Sequence, residues 1–166
     1  MRLARPSSTL TSLAVALTLL VCAVPSQAQR ATEVELKAAF LLNFAKFTDW
    51  PPDALPPGAP LKFCIVDHAR IAAALAAVAP STAVSGHALL LERRTMTDLT
   101  APCHVLFIPG LSERPAAAVV ETLKGTTTFS VSDTPAFTRA GGVAYLYIDG
   151  DRVRFAINGW PRRERA

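Results

Sequence analysis

Short apolar runs of strand length alternate with segments of helical periodicity along most of this chain, and that alternation leaves few folds open. Strand-length segments cover residues 61–67, 88–93, 104–108, 127–131 and 143–148; the first is apolar and bounded by breakers, and Pro109-Gly110 follows the third. Helical segments fall between or before them at 32–47, 69–79, 114–124 and 135–140. A last strand at 152–158 follows Asp149-Gly150, a turn signal, and pairs with 143–148 as a hairpin. In that strand Val153, Phe155 and Ile157 alternate with Arg152, Arg154 and Ala156, which predicts one wet face. Strands interleaved with helices predict a layered α/β fold, in which a mostly parallel, mixed sheet is flanked by helices and ends in an antiparallel C-terminal hairpin. With 51% hydrophobic and 18% charged residues the chain is no disordered tail, and 166 residues suit one domain of ordinary size.

The two ends read differently from the body. Arg2 and Arg5, the apolar run 10–23 and Ser26-Gln27-Ala28 form the n-region, core and cleavage site of a secretory signal peptide over residues 1–28, cut after Ala28. The apolar run is shorter than the ~20 residues of a membrane span, and Pro25 follows it, so no membrane insertion is expected once the signal is removed. Acylation at Cys22 is disfavoured because Val21 stands where a small residue is required. The formal net charge is +4, but residues 30–158 carry 12 basic and 12 acidic side chains. A neutral body offers no field for phosphates, so nucleic acid is not an expected partner. One α/β domain is expected over 29–158, with an atypical tail at 159–166.

The strongest local signal is the helix at 32–47. Thr32 and Glu35 make a capping box, Glu33 and Lys37 are spaced for an i,i+4 pair, and Leu36, Phe40, Phe44 and Phe47 form an apolar stripe beside Leu41. Trp50 follows at the helix end, before a loop rich in proline. An exposed aromatic there could anchor a partner, with Asn43 and Lys46 on the polar side of the same helix. Ser130, Ser132 and Asp133 end a strand, where open α/β sheets bind ligands. The competing reading is that Ser132 or Asp133 caps the short helix that follows. His87 reads as a solvated turn residue.

No dinucleotide fingerprint, P-loop or nucleophile elbow occurs, so catalysis and a cofactor are not expected. After signal removal two cysteines remain, Cys64 and Cys103. An even count in an oxidising compartment favours one disulfide, with a metal site or free buried thiols as alternatives. Cys64, His68, Cys103 and His104 lack a usual zinc spacing, and adjacent strand residues point to opposite faces, so no metal is expected.

Taken together, these segments resemble the YfiR family of periplasmic proteins. The resemblance begins at Lys37-Ala38-Ala39-Phe40-Leu41-Leu42-Asn43-Phe44-Ala45-Lys46-Phe47 and runs to Trp50-Pro51. It continues through Leu61-Lys62-Phe63-Cys64-Ile65-Val66 and Cys103-His104-Val105-Leu106-Phe107-Ile108. It closes with Val131-Ser132-Asp133, Gly141-Gly142 and Arg152-Val153-Arg154-Phe155-Ala156-Ile157-Asn158. The family resemblance implies a Cys64–Cys103 disulfide. It also implies a repressor that binds the periplasmic sensor part of an inner-membrane diguanylate cyclase, relieved by redox or envelope stress or by capture on an outer-membrane lipoprotein. Asp67-His68 departs from the glycine that often ends the first strand in the family.

After Asn158 the resemblance implies a helix, roughly Asn-Leu-Ala-Ala-Ala-Arg-Ala-Gly-Leu. One GC-rich coding of Gly159 to Ala166, read two bases later, gives Leu-Ala-Ala-Ala-Arg-Ala-Gly-Leu. The expectation is a frameshift at the tail, leaving uncovered an apolar face that would lower stability or favour self-association, a homodimer included. The alternative to a cyclase repressor is a periplasmic small-ligand-binding module serving a receptor or sensor kinase, built around Ser132 and Asp133. Terminal sequencing of the exported protein is expected to find Gln29 at its N-terminus, and resequencing the gene should show codons that allow the alternate frame.

Overall fold

The computed structural model describes residues 32–158. The signal peptide, its cleavage point after Ala28, Cys22 and the tail at 159–166 lie outside the described residues.

Helix α1 spans Glu33–Lys46 and opens as its sequence dictates. Thr32 accepts the Glu35 N–H through its hydroxyl, and Glu35 returns a carboxylate oxygen to the Thr32 N–H at 2.7 Å. That bond from the Thr32 backbone is the main cause holding the Glu35 carboxyl below its usual range. Strand β1 (Leu61–Val66) follows the proline loop, then α2 (Ala69–Val78), a 3-10 turn at Ala79–Ser81, β2 (Ala83–Val84) and β3 (His87–Arg94). Next come β4 (Val105–Ile108), α3 (Glu113–Leu123), β5 (Phe129–Ser132), α4 (Pro135–Arg139), β6 (Ala144–Asp149) and β7 (Arg152–Ile157).

The seven strands form one sheet in the order β2-β3-β1-β4-β5-β6-β7. β3, β1, β4, β5 and β6 are parallel, while β2 and β7 are antiparallel edges. Counted in chain order the parallel strands run second, first, third, fourth, fifth, the order of a flavodoxin-like doubly wound sheet. Both faces are covered. Leu61, Phe63, Ile65, Val105, Phe107 and Val131 pack under α1 and α2. Cys64, Val66, Leu106 and Ile108 pack under α3 and α4. Two covered faces explain why β1 past Lys62 and β4 read as apolar runs, while the hairpin alternates.

Four expectations change. Residue Phe47 leaves the core stripe: it caps the C-terminus of α1 and is 88% exposed. The buried stripe is instead Lys37, Ala38, Leu41, Phe44 and Ala45. His87 is not a solvated turn residue. It opens β3, half-buried, with Nδ1 2.7 Å from the Ala59 carbonyl. Before it lies a hairpin that the sequence did not reveal, in which β2 turns into β3 through Ser85-Gly86, both at positive φ. The terminal hairpin turns on Gly150-Asp151, since Asp149 already pairs with Arg152. At the tight turn before β6, a Cβ on Gly142 would stand 2.3 Å from the buried ring of Phe137, so only glycine fits.

Cys64 and Cys103 are joined as a disulfide with Cα atoms 6.0 Å apart. It is buried in the α3/α4 core and ties β1 to the segment entering neighbouring β4. The 39-residue separation closes off α2, β2 and β3, a constraint of about 4 kcal/mol in the chain-entropy model. Replacing both cysteines by alanine is therefore expected to lower the unfolding free energy by about 3–4 kcal/mol. Denaturant titration checks this as a lower midpoint.

Candidate interaction surface

Helix α1 lies antiparallel over β5. Lys37 near its start meets Asp133 just past the end of β5, and Phe44 meets Phe129 at the beginning of that strand, with ring centroids 5.2 Å apart. Trp50, beyond the helix, donates its indole N–H to the Thr127 carbonyl at 3.0 Å.

The carboxyl-end contact is polar. The Lys37 side chain is only 10% exposed, and its Nζ lies 2.8 Å from Glu33 Oε1 and 3.5 Å from Asp133 Oδ2. The other oxygen of Asp133 accepts the Gly110 N–H at 2.7 Å. One carboxylate thus joins α1, the β4–α3 loop and the β5–α4 loop. Neither Ser132 nor Asp133 caps α4, because Thr134 is the N-cap and makes no side-chain cap bond. Ser132 is fully buried, its hydroxyl 3.4 Å from that of Thr134. Chain reversal in this sheet falls between β1 and β4, where ligands of doubly wound sheets bind. There His68 Nδ1 accepts the Ile71 N–H at the start of α2 and Gly110 is held by Asp133. The chain's own polar groups bond to one another at that edge.

The amino-end contact is aromatic. Trp50, read from sequence as an exposed anchor, is half-buried and stands edge-on to His104 with centroids 5.7 Å apart. His104 Nδ1 accepts the Lys62 N–H at 2.8 Å, so its proton sits on Nε2, which donates to the Ala54 carbonyl at 3.1 Å. That arrangement pins the proline loop to the start of β1. A cleft of about 330 Å³ beside it is lined by Trp50, Pro52, Leu55, Gly58, Gly86 and His87 among others.

Between the two contacts, the outer flank of α1 is open. Phe40, Asn43 and Phe47 succeed one another at helical spacing, with Lys46 alongside. Asn43, Lys46 and Phe47 are exposed. Next to them stands β7, whose Phe155 packs on Phe40 and Phe44 with centroids 5.7 and 5.2 Å away yet stays 45% exposed. Ile157 is 53% exposed. Asn43 and Lys46 therefore share one surface, remote along the chain from Ser132 and Asp133, while Trp50 belongs to the amino-end contact. Residues such as Phe155 and Ile157 escaped the sequence reading because their alternation marks an inward side without showing that α1 stops short of covering it.

A family model described as YfiR/HmsC-like matches residues 34–160, from the first turn of α1 past the end of β7. The chain belongs to that family. No curated protein matches the sequence significantly. The YfiR/HmsC-like match spans the capping helix, both core faces, the disulfide and the terminal hairpin, so the α1–β7 surface lies wholly within it.

Replacing Asp133 by alanine is expected to destabilise the fold by about 1–3 kcal/mol, since it strips a mostly buried ammonium of one partner. Lys37→Met, which removes the charge itself, should cost less, and a double-mutant cycle in urea measures the coupling.

Proposed function

We propose that this chain is an exported periplasmic regulator that binds the periplasmic sensor region of an inner-membrane diguanylate cyclase and represses it. Membership of the YfiR/HmsC-like family carries this reading, being consistent with such a regulator. One feature of the molecule supports it. The exposed residues Phe47, Phe155 and Ile157 make a surface suited to a protein partner, with Asn43 and Lys46 at hand as polar contacts. Among the described residues no helix is long and apolar enough to cross a membrane.

Repression of this kind works by differential binding: the regulator must hold the inactive state of the sensor more tightly than the active one. Redox stress enters through the Cys64–Cys103 disulfide, whose reduction loosens the repressor. Capture by an outer-membrane lipoprotein would compete for the chain. A second reading, a small-ligand module serving a receptor or sensor kinase, draws on the cleft beside Trp50 and His87. A neighbouring gene for a cyclase favours the first, and one for a receptor or sensor kinase the second.

Deleting the gene in its own host is expected to raise cellular cyclic di-GMP, and restoring the 166-residue chain should bring it back down. An unchanged level would refute the repressor and leave the ligand-binding reading. Restoration only by a frame-corrected gene would keep the role and assign the loss of function to the tail.

A further inference from the structure

Two hollows share the side chains of Trp50, Leu55, Ser85 and His87 and so form one cleft of two lobes at the amino-end contact. The smaller lobe, of about 110 Å³, reaches from Asp49, past the end of α1, to Leu61 and Val84. The larger, of about 330 Å³, runs along the proline loop past Pro52 and Pro57 to Gly86. Its walls are apolar carbon and the indole of Trp50, whose N–H is already spent on the Thr127 carbonyl. No lysine or arginine lines either lobe.

The polar groups of the cleft are mainly acceptors. His87 Nδ1 lies 2.7 Å from the Ala59 carbonyl, which can only accept, so that nitrogen carries the proton. Nε2 of the neutral ring is then a lone-pair acceptor, and it has no bond to any described residue. The Thr48 hydroxyl donates to the Phe44 carbonyl at 2.7 Å, which leaves its lone pairs. Asp49 is exposed, and its carboxylate has no ion pair or hydrogen bond among the described residues. The Ser85 hydroxyl is equally without a bond among them. A carboxylate or phosphate entering here would meet one negative charge and no positive one. A cation that donates hydrogen bonds and carries an apolar body would satisfy the acceptors, the Trp50 ring and the carbon walls together.

We propose that this cleft binds a small primary ammonium with an apolar body and no acid group, of the arylalkylamine class. Asp49 takes the charge, His87 Nε2 and the Ser85 hydroxyl accept further N–H groups, and Trp50, Leu55 and the prolines hold the apolar part. The assignment rests on the second, ligand-binding reading above and names the class of its ligand; the cyclase reading does not enter it.

The test titrates the exported chain, disulfide intact, with four ligands of one shape: phenethylamine, phenethyl alcohol, phenylalanine and hydrocinnamate. Calorimetry is expected to give the amine a Kd of about 1 mM or tighter, ordinary for a ligand of this size. The neutral alcohol and the amino acid should bind about tenfold more weakly, and hydrocinnamate not at all. Asp49→Asn removes the charge without taking a partner from the fold. It should weaken the amine about tenfold and leave the urea midpoint unchanged. Ser85→Gly suits the positive φ of that turn and should weaken the amine several-fold. Backbone amide shifts on adding the amine should centre on Asp49, Ser85 and Gly86. No binding of the amine up to about 10 mM overturns the proposal. Binding indifferent to Asp49→Asn does the same, as do shifts centred on the α1–β7 surface or a preference for hydrocinnamate. Equal affinity for the amine and the alcohol within the cleft overturns the ammonium and leaves the ligand-binding reading standing.

Discussion

The position of α1 across the sheet governs most of what this molecule presents to its surroundings. A helix of 14 residues is held over β5 by contacts of opposite character at its two ends. At one, the Lys37 ammonium meets the Asp133 carboxylate. At the other, beyond the helix, the Trp50 indole reaches the Thr127 carbonyl in the loop that leads into β5. Between them Leu41, Phe44 and Ala45 fill the sheet surface. Two distant anchors fix both the tilt and the rotation of a helix, which apolar contact alone leaves free to slide. That rotation decides which flank is buried and so creates the open face beside β7.

Much of this architecture was legible in local chemistry. The capping box fixed where α1 begins, proline and glycine bounded several of the strands, and strands alternating with helices announced a layered sheet flanked by helices. The failures share one cause. Asp133 finds its partner 96 residues away in sequence, and Gly110 lies 23 away, so a carboxylate at a strand end looked like a local helix cap. Periodicity could show that Phe47 continues an apolar stripe. It could not show that Phe47 at the end of α1 is exposed, or that Trp50 turns back to the Thr127 carbonyl and the His104 ring. The roles of these two aromatics were therefore exchanged. Strand β2 escaped because two residues have no period, and with it went the placement of His87.

The candidate surface was harder to read than the fold. Asn43 and Lys46 were visible as a polar flank, but exposed apolar residues beside them belong to the last strand, more than a hundred residues later. Alternation on β7 told which side faces inward. Whether anything covers that side depends on the reach of α1, a property of packing and not of pattern. The one sequence-level trace was Lys37 itself, a lysine embedded among the residues that α1 buries.

The disulfide and the β7 edge lie in different parts of the sheet. Cys64 is on β1, and three strands stand between β1 and β7. At roughly 4.8 Å per strand the two are separated by about 19 Å of hydrogen-bonded backbone. The covalent loop encloses α2, β2 and β3, on the far side of β1 from the hairpin. A thiol–disulfide change would act first on that half, as slack in one end of a stiff plate. For the opposite margin to feel it, the plate must shift as a body or its overall population must fall. Oxidation state would then govern how much folded molecule is available, while the shape of the margin stays the same.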